Sequence, residues 1–453
     1  METFLIKAVQ LILALAILVI VHEFGHYFFA RVFGIRVEKF YLFFNPWFSI
    51  FKWKPKAPKN RKRNKKGIEK TSWRDTEYGI GWVPLGGYCK IAGMIDESMD
   101  KEQMAQPAKP DEFRARPAYQ RLLVMIGGVL FNFIFACLIY IGITLCWGER
   151  SIPFEKAYAG MDFCEEAKAV GYQDGDIILL ADGEEIEAKD REAVINIAMA
   201  KEVTLLRGND TVKVKNPDDF AATIKSSFMA YRTPVFVKQV QNGTPAEEAG
   251  LEVNDHIIAI NGVATPSFSE LSRELDANKE KAITVTVERD GEKVVLNATP
   301  DSNGKLGFGL KNPDEVYDVE TINYNFFEAI PRGISIGANQ LVTYVSSLKM
   351  LFTKSGASQI GGFGAIGNLF PDAWDWRTFW EMAALLSVIL AFMNILPIPA
   401  LDGGHVLFVL WEIITRRKPS EKFLERAQIC GMIFLLLLLL YANGNDIYRF
   451  IFK

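Results

Sequence analysis

The sequence contains few cysteines and few histidines, and little net charge. Cysteine occurs five times in 453 residues, and no two cysteines form the Cys-x-x-Cys pair typical of a thiolate zinc site. The net charge is −3, without the basic excess of nucleic-acid-binding proteins, so we expect no nucleic-acid partner. Histidine occurs only at His22, His26, His256 and His405. Because histidine is so rare here, the close spacing of the first two is informative.

Long apolar stretches occupy both ends of the chain. The middle of the chain has the composition of an ordinary soluble protein. A bilayer-spanning helix needs about 20 predominantly apolar residues, and four stretches meet this requirement. The first stretch begins with the acidic Glu2 and stays apolar through Phe28, which disfavours a cleaved signal peptide. We therefore predict four transmembrane helices, the third of them interrupted by Pro397 and Pro399.

Basic residues predict the orientation of these spans. Residues 52–66 carry nine lysines or arginines and no acid, and residues 415–418 read TRRK. In a four-span chain both segments lie on the same side, which the positive-inside rule makes cytoplasmic. Both termini and the middle region are then extracytoplasmic. A nucleic-acid patch at 52–66 is the weaker alternative beside a membrane span, and contact with anionic lipid is the stronger one.

The middle region contains an internal repeat. Residues 169–183 (AVGYQDGDIILLADG) align without a gap with residues 248–262 (EAGLEVNDHIIAING). Each copy predicts a turn, an apolar strand and a hairpin turn, and the pattern resembles the PDZ domain. PDZ domains bind extended peptides by strand addition, so we predict a peptide or size-filter role at Gly250 and Leu251. A generic β spacer is the alternative, and His256 is predicted to be structural.

A metal-binding motif lies within the first apolar stretch. His22 and His26 are four residues apart, which places both imidazoles on one helical face, close enough to share a zinc ion. Glu23 lies beside them, where it can act as general base for an attacking water. Three ionisable groups in an apolar span are costly without a partner, and a metal ion is such a partner. The sequence therefore predicts a zinc site with its own base.

A third protein ligand is expected from another span, because catalytic zinc takes three protein ligands and keeps one position open. The proline-broken third stretch offers two candidates, Asp402 and His405. An irregular backbone at membrane depth is tolerated only where protein or a water-filled cavity surrounds it, so either side chain can point inward. The residues alone leave both candidates open, with His405 also suited to orienting another ligand.

Together these motifs resemble the site-2 protease family of intramembrane zinc metalloproteases, in its bacterial RseP type. The resemblance covers nearly the whole chain and depends on three features. They are His22-Glu23-x-x-His26 in the first span, the paired PDZ-like repeats, and Asn394-x-x-Pro-x-Pro-x-Leu-Asp402-Gly-Gly in the third span. The resemblance implies that His22, His26 and Asp402 hold zinc, that Glu23 is the general base, and that Asn394 contacts substrate.

The resemblance also implies a membrane-re-entrant β-hairpin, matched here by residues 77–91. An exposed strand of this hairpin would pair with a substrate unwound into extended form. The substrate-contacting residues implied there are Tyr78, Gly79, Ile80, Gly81, Trp82 and Val83.

The expected fold is a polytopic α-helical membrane protein with four transmembrane helices, a re-entrant hairpin and two inserted PDZ-like α+β domains. The predicted boundaries are 1–33 (first span), 34–118 (cytoplasmic-side loop with the hairpin), 119–147 (second span), 150–220 and 230–312 (PDZ-like domains), 325–375 (amphipathic segment on the outer face), 379–414 (third span), 415–422 (cytoplasmic loop) and 423–443 (fourth span).

The expected function is hydrolysis of peptide bonds within transmembrane segments of single-span membrane proteins. The resemblance implies anti-sigma factors, remnant signal peptides or both as substrates, usually after a first extracytoplasmic cut, in regulated intramembrane proteolysis of a stress response. We expect a monomer in contact with lipid in the bacterial inner membrane, with periplasmic termini and PDZ-like domains. The alternative is a PDZ-bearing scaffold or chaperone with a structural metal, which would not need Glu23.

Overall fold

The computed structural model describes residues 2–56, 71–94, 107–186, 193–224, 227–351 and 361–452. Most of the basic segment 52–66 lies outside the described residues. The chain divides into two compact units, one formed by Met1–Trp147 with Tyr324–Phe452 and the other by Gly148–Asn323.

Long apolar helices form most of the first unit. They are α1 (Glu2–Val32), α2 (Ala118–Trp147), α3 (Phe326–Leu351), α4 (Trp376–Ile395), α5 (Asp402–Thr415) and α6 (Glu421–Phe452). Within the described residues, four segments are long and apolar enough to cross a membrane, at Thr3–Val32, Ala118–Trp147, Trp376–Ile395 and Lys422–Ile447. These agree with the predicted spans, except that the third is shorter than 379–414. It ends at Ile395, and the chain resumes as a separate helix, α5, at Asp402.

Glycines bring α1 and α2 into backbone contact. A Cβ atom on Gly25 would lie 2.2 Å from the carbonyl oxygen of Gly127, and one on Gly127 would lie 2.6 Å from the carbonyl oxygen of Gly25. Small residues at such positions allow apolar helices to approach closely in a bilayer. The face of α1 that carries the two histidines is therefore held directly against α2.

The predicted amphipathic segment forms α3, which packs on α2. A Cβ atom on Gly333 would lie 2.4 Å from the amide nitrogen of Ile141, and one on Gly337 would lie 2.9 Å from Cys137 Sγ. The helix begins at Phe326, next to the start of the predicted segment at 325. Its location on the outer membrane face stays a prediction.

A polar group near the end of α6 anchors the chain before α4. Asp446 accepts hydrogen bonds from the backbone amides of Gly362 (2.9 Å) and Ala365 (3.0 Å), and Asn443 Oδ1 accepts one from the amide of Phe363 (3.2 Å). These residues belong to the short helix Phe363–Gly367 and its N-terminus. The acid in the fourth span therefore has a structural role.

A four-stranded sheet replaces the predicted hairpin. Its strands are β1 (Val37–Phe44), β2 (Phe51–Trp53), β3 (Glu77–Ile80) and β4 (Val83–Ile91), in the order β2-β3-β1-β4. The prediction of a hairpin over 77–91 is wrong, because β1 lies between β3 and β4. The Gly81 amide donates to the carbonyl of Leu42 in β1, so the chain crosses this strand instead of turning back on itself.

The second unit contains the two aligned copies as two separate sheets. Strands of the first copy are Ile177–Ala181, Glu184–Glu185, Glu202–Arg207 and Asp210–Lys215. Strands of the second copy are Val235–Val240, His256–Ile260, Val263–Ala264, Ile283–Arg289, Glu292–Ala298 and Phe308–Leu310. Met161–Phe163 pairs with Met229–Tyr231, and Glu149–Ser151 pairs with Glu320–Ile322. The helices are Glu165–Val170, Ala193–Met199, Phe220–Thr223, Pro245–Glu248, Phe268–Ala277 and Pro313–Val316. Each copy packs its own apolar core.

The same arginine clamp occurs in both copies. Arg207 donates to both carboxylate oxygens of Asp176, at 2.8 and 2.7 Å, and to the glycine carbonyl of the preceding turn at 2.8 Å. Arg289 donates to both oxygens of Asp255, each at 2.7 Å, and to the aligned glycine carbonyl at 2.9 Å. Both aspartates are buried. The structural repeat thus extends beyond the residues that the sequence alignment paired.

The predicted peptide-binding pair in the second copy has structural roles. Gly250 has a φ of +76°, which suits glycine, and its carbonyl is the one held by Arg289. Leu251 is only 5% exposed and belongs to the core of this copy. The peptide or size-filter role predicted for Gly250 and Leu251 stays a prediction, with the Leu251 side chain committed to the core.

His256 is part of a strand surface in the second copy. Its ring stacks on Phe236 with centroids 4.3 Å apart, and burial lowers its pKa. The histidine therefore has a packing partner, in line with the structural role predicted for it.

Candidate metal centre

Three side chains from two helices meet at one point in the first unit. His22 and His26 lie one turn apart on α1, and Asp402 is the first residue of α5. Asp402 Oδ2 lies 3.1 Å from His22 Nε2 and 3.2 Å from His26 Nε2, and the two Nε2 atoms are 3.3 Å apart. Among the described residues this is the cluster of His, Cys, Asp or Glu suited to a metal ion.

The proton positions favour a cation between these atoms. His26 Nδ1 is 2.8 Å from the carbonyl oxygen of Val124, which can only accept, so Nδ1 carries the proton and Nε2 presents a lone pair. Asp402 Oδ2 is a buried acceptor without a hydrogen bond. Two acceptors at 3.2 Å repel each other unless a positive charge lies between them.

The spacing fits tetrahedral zinc. Ligand atoms bound to zinc at about 2.05 Å lie about 3.3 Å from one another, close to all three separations found here. Gly128 on α2 leaves room for the two imidazoles because it has no side chain. A Cβ atom at this position would lie 2.6 Å from both His22 Cε1 and His26 Nε2. Two imidazoles and one carboxylate are also a donor set that zinc commonly takes.

The break between α4 and α5 positions Asp402. The chain from Leu396 to Leu401 folds back on itself, and a Cβ atom on Gly403 would lie 2.1 Å from the carbonyl oxygen of Leu396. Ala400 adopts a positive φ of +81° within this turn. The prolines and glycines therefore produce a compact turn that places the acid at the start of α5, beside α1.

A cavity of about 490 Å³ adjoins the three side chains. Glu23 and His405 both line it. The Glu23 carboxylate accepts a hydrogen bond from the backbone amide of Cys89 in β4. His405 is not one of the three clustered residues, so the structure brings Asp402 and not His405 to the histidine pair.

The predicted substrate-contacting residues are only partly at this cavity. Asn394 lines it, near the end of α4. Tyr78, Gly79 and Ile80 lie in β3, which pairs with β2 on one side and β1 on the other. Their predicted role as an exposed edge is wrong, because both edges of this strand are already hydrogen-bonded.

The strand that faces the cavity is β4. Gly81 and Trp82 lie in the connection before it, and Val83 is its first residue. Its later residues, Gly87–Ile91, line the cavity together with His22, His26 and Asp402. Among the described residues β4 pairs only with β1, so its other edge is open.

Two polar residues near the cavity were missed by the sequence reasoning. Asn132 on α2 is fully buried, and its Nδ2 lies 3.2 Å from His22 Nδ1. Gln428 on α6 is buried and lines the cavity. The available signal was the occurrence of a carboxamide within an otherwise apolar stretch, because such residues usually face the interior of a helix bundle.

Comparison with known proteins gives matches over nearly the whole chain. The sequence model described as "Peptidase family M50" matches residues 10–58 and 64–438. The chain is 30% identical to a "Putative zinc metalloprotease" of Vibrio cholerae, over 97% of this chain and 98% of that protein. It is 29% identical to a "Regulator of sigma E protease" of Haemophilus influenzae (99% and 100% covered) and 28% identical to the "Regulator of sigma-E protease RseP" of Salmonella typhimurium (97% of each).

One solved structure also matches part of the chain. It is the PDZ domain of an SdrC-like protein from Listeria monocytogenes, at 21% identity and a TM-score of 0.16. The match covers 20% of this chain and 97% of that structure. At this TM-score the likeness carries no argument about fold.

Proposed function

This chain belongs to peptidase family M50, and we propose that it cleaves peptide bonds within the transmembrane segments of single-span membrane proteins. It is a metalloprotease whose cofactor is zinc. The finer proposal names anti-sigma factors, remnant signal peptides or both as substrates, usually after a first extracytoplasmic cut. Relatives with the name "Regulator of sigma E protease" support anti-sigma factors as the substrate class.

The observation that carries this proposal is the depth of the metal centre. His22, Glu23 and His26 lie in the interior of α1, inside a segment of 30 residues that is apolar enough to cross a membrane. A site built there can act on a peptide bond that is itself at membrane depth. A protease of soluble substrates has no need for three ionisable groups in an apolar helix, where they are costly.

We propose that His22, His26 and Asp402 hold the zinc ion. Bound zinc supplies a Lewis acid that polarises the scissile carbonyl and makes a water molecule more acidic. Glu23 lines the same cavity, where its carboxylate accepts the proton of the attacking water and delivers it to the leaving nitrogen. The Val124 carbonyl fixes the tautomer of His26, so that its Nε2 is free to bind the metal.

We propose that Asn132 fixes the tautomer of His22, as the Val124 carbonyl does for His26. Its Oδ1 is buried without a hydrogen bond, while its Nδ2 faces His22 Nδ1. A carboxamide rotated by 180° occupies the same space, and the rotated group accepts the N–H of His22 Nδ1. The lone pair of His22 Nε2 is then directed to the metal, as second-sphere partners of zinc-binding histidines generally arrange.

The open edge of β4 is the proposed substrate-binding strand. The Cys89 amide points to Glu23 and hence away from β1. Because amides of alternate residues point to the same side of a strand, those of Gly87 and Cys89 both face the cavity. An extended substrate that pairs with these groups exposes its scissile amide, which a helical substrate keeps in its own hydrogen bonds.

The two copies in Gly148–Asn323 are proposed to be PDZ-like units that select trimmed substrates. The shared clamp and turn in the two copies support a common fold for them. We expect this segment and both termini to be periplasmic, in a multi-pass protein of the bacterial inner membrane. The basic residues between the first two spans and between the last two support that orientation. We expect the enzyme to act as a monomer.

The test compares the purified parent protein with Glu23→Gln and Asp402→Ala variants on a tagged single-span substrate. Glu23→Gln should keep its zinc and lose cleavage by about 10²- to 10⁴-fold, the usual effect of removing a general base. Asp402→Ala should lose zinc in metal analysis, because one of three ligands is gone. Equal cleavage by the parent and Glu23→Gln contradicts the proposal, and unchanged zinc in Asp402→Ala removes Asp402 from the site.

The scaffold alternative makes the opposite prediction for the same variants. If the metal were structural, Glu23→Gln would retain full function and only lesions in the two repeats would abolish it. The enzyme assignment of the family and the location of Glu23 at the cavity both disfavour this alternative.

A further inference from the structure

Gln428 is a polar residue on an otherwise apolar helix. It lies near the start of the fourth apolar segment, Lys422–Ile447, whose other residues are mostly exposed on the protein surface. Gln428 itself is only 5% exposed. A carboxamide in such a segment is costly to place in lipid, so it is expected to face protein or water.

The location of Gln428 is set by a close helix contact. One turn further along α6, a Cβ atom on Gly431 would lie 1.6 Å from the carbonyl oxygen of Pro399. The helix therefore touches the broken segment that precedes Asp402. The same face of α6 directs Gln428 into the cavity that His22, Glu23 and Asp402 line.

Among the described residues the Gln428 carboxamide has no hydrogen-bond partner, and it borders the cavity. A carboxamide at the wall of a cavity can hydrogen-bond the molecule that occupies that cavity. Asn394 is 9% exposed, lines the same cavity and likewise has no hydrogen-bond partner among the described residues. Two unpaired carboxamides from different helices therefore face the cavity.

We propose that Gln428 is a substrate-binding residue, whose carboxamide hydrogen-bonds the backbone of the extended substrate beside the zinc site. The inference depends on the proposed intramembrane proteolysis. A carboxamide both donates and accepts, so it can pair with the N–H and C=O of any residue type. Gln428 therefore binds the peptide backbone irrespective of sequence, a role distinct from strand pairing along β4.

The experiment measures binding separately from cleavage. Each variant is combined with Glu23→Gln, so that a fluorescently labelled single-span peptide in detergent micelles is bound without being cut. Gln428→Leu should bind this peptide about tenfold more weakly, the loss expected for one hydrogen bond from a buried group. Zinc content should be unchanged, because Gln428 is not a ligand. The melting temperature should not fall, because no hydrogen bond to the rest of the protein is lost.

Asn443→Leu is the matched control on the same helix. Asn443 has a structural partner, the amide of Phe363, and does not line the cavity. This variant should lower the melting temperature and leave peptide affinity unchanged. The inference is overturned if Gln428→Leu binds the peptide as tightly as the parent does. It is also overturned if Gln428→Leu lowers the melting temperature and leaves peptide affinity unchanged. If the parent itself neither binds nor cuts the peptide, the proposed function fails instead.

In the cleavage-competent background, Gln428→Leu should raise KM more than it lowers kcat, because the lost hydrogen bond is already formed in the bound substrate. An effect confined to kcat contradicts a binding role. Gln428→Glu retains an acceptor and should bind at least as well as Gln428→Leu if the substrate N–H is the partner.

Discussion

At the scale of single residues, metal binding at the proposed centre depends on the identity of the ligands and also on the groups that orient them. His26 is oriented by the carbonyl oxygen of Val124, which neither a motif nor a composition can reveal. His22 has a side chain, Asn132, as its partner. A backbone carbonyl persists through most substitutions, whereas a side chain is lost by one, so the two histidines differ in their sensitivity to mutation.

Asn132→Leu is predicted to weaken zinc binding by about 10- to 100-fold, the usual cost of losing an outer partner of a zinc ligand. The apolar side chain can neither orient His22 nor fix its tautomer. Competition with a fluorescent chelator measures the affinity on purified protein. Asn132→Asp keeps an acceptor for the His22 N–H and should retain zinc.

Ser387→Ala is the control for Asn132. Ser387 is also fully buried and donates to the backbone carbonyl of Asn132 at 2.8 Å, but it does not contact a histidine. It should destabilise the helix pair without changing zinc affinity. Equal zinc affinities for Asn132→Leu and the parent protein would contradict the orienting role.

At the scale of elements, β4 is proposed to join substrate binding to catalysis. One of its amides, that of Cys89, is held by the Glu23 carboxylate in the free protein. An arriving substrate strand competes for the same amide edge. In the proposed mechanism the general base and the substrate therefore meet on one strand, with the scissile bond next to Glu23.

Cys89→Pro is predicted to abolish cleavage while leaving the sheet folded. Proline removes the amide that faces the open edge, and edge positions whose N–H points away from the neighbouring strand tolerate proline. Cys89→Ala keeps that amide and should retain most activity. Substrate cleavage and zinc content of the two variants are the measurements. Comparable cleavage by both would show that strand pairing at this position is unnecessary.

In the second unit, the arginine clamps link a strand of each copy to the turn that precedes its aspartate. Arg207→Met is predicted to reduce the free energy of opening of the first copy by about 2–3 kcal/mol, since the buried Asp176 loses its counter-ion and keeps only the hydrogen bond from the Gln173 amide. The partial exposure of the arginine keeps the loss below that of a fully buried pair. Hydrogen exchange of Ile177–Ala181 measures it in the full-length protein.

Arg289→Met provides the matched comparison. It should destabilise the second copy by a similar amount, seen in the exchange of His256–Ile260, and leave the first copy unchanged. If either variant accelerated exchange equally in both copies, the two would unfold as one unit and the clamps would not be independent.

At the scale of the whole molecule, the proposed orientation in the membrane rests on the loop charges. A protease-sensitive tag at the C-terminus is predicted to be cut when protease is added to spheroplasts, because four spans return the chain to the periplasm. The same tag placed within residues 57–66 should be protected until the cells are lysed. A protected C-terminal tag would mean that one of the four apolar helices does not cross the membrane.

The sequence alone determined the features that depend on local spacing. Four apolar stretches, two histidines at helical spacing with Glu23 between them, and the aligned repeats can all be read from the sequence, because helix rise and strand periodicity are properties of consecutive residues. The clamp residues Arg207 and Arg289 were not found, because they lie on strands distant in sequence from the turns that they hold.

Only the tertiary structure decided which distant groups meet. The order of the sheet made β4 rather than β3 the open strand, because β1 inserted between them. The turn before α5 brought Asp402, and not His405, to the two histidines. The packing of α2 and α6 added Asn132 and Gln428 to the site. These arrangements depend on contacts between elements far apart in the chain, and no local pattern encodes which atoms will face each other.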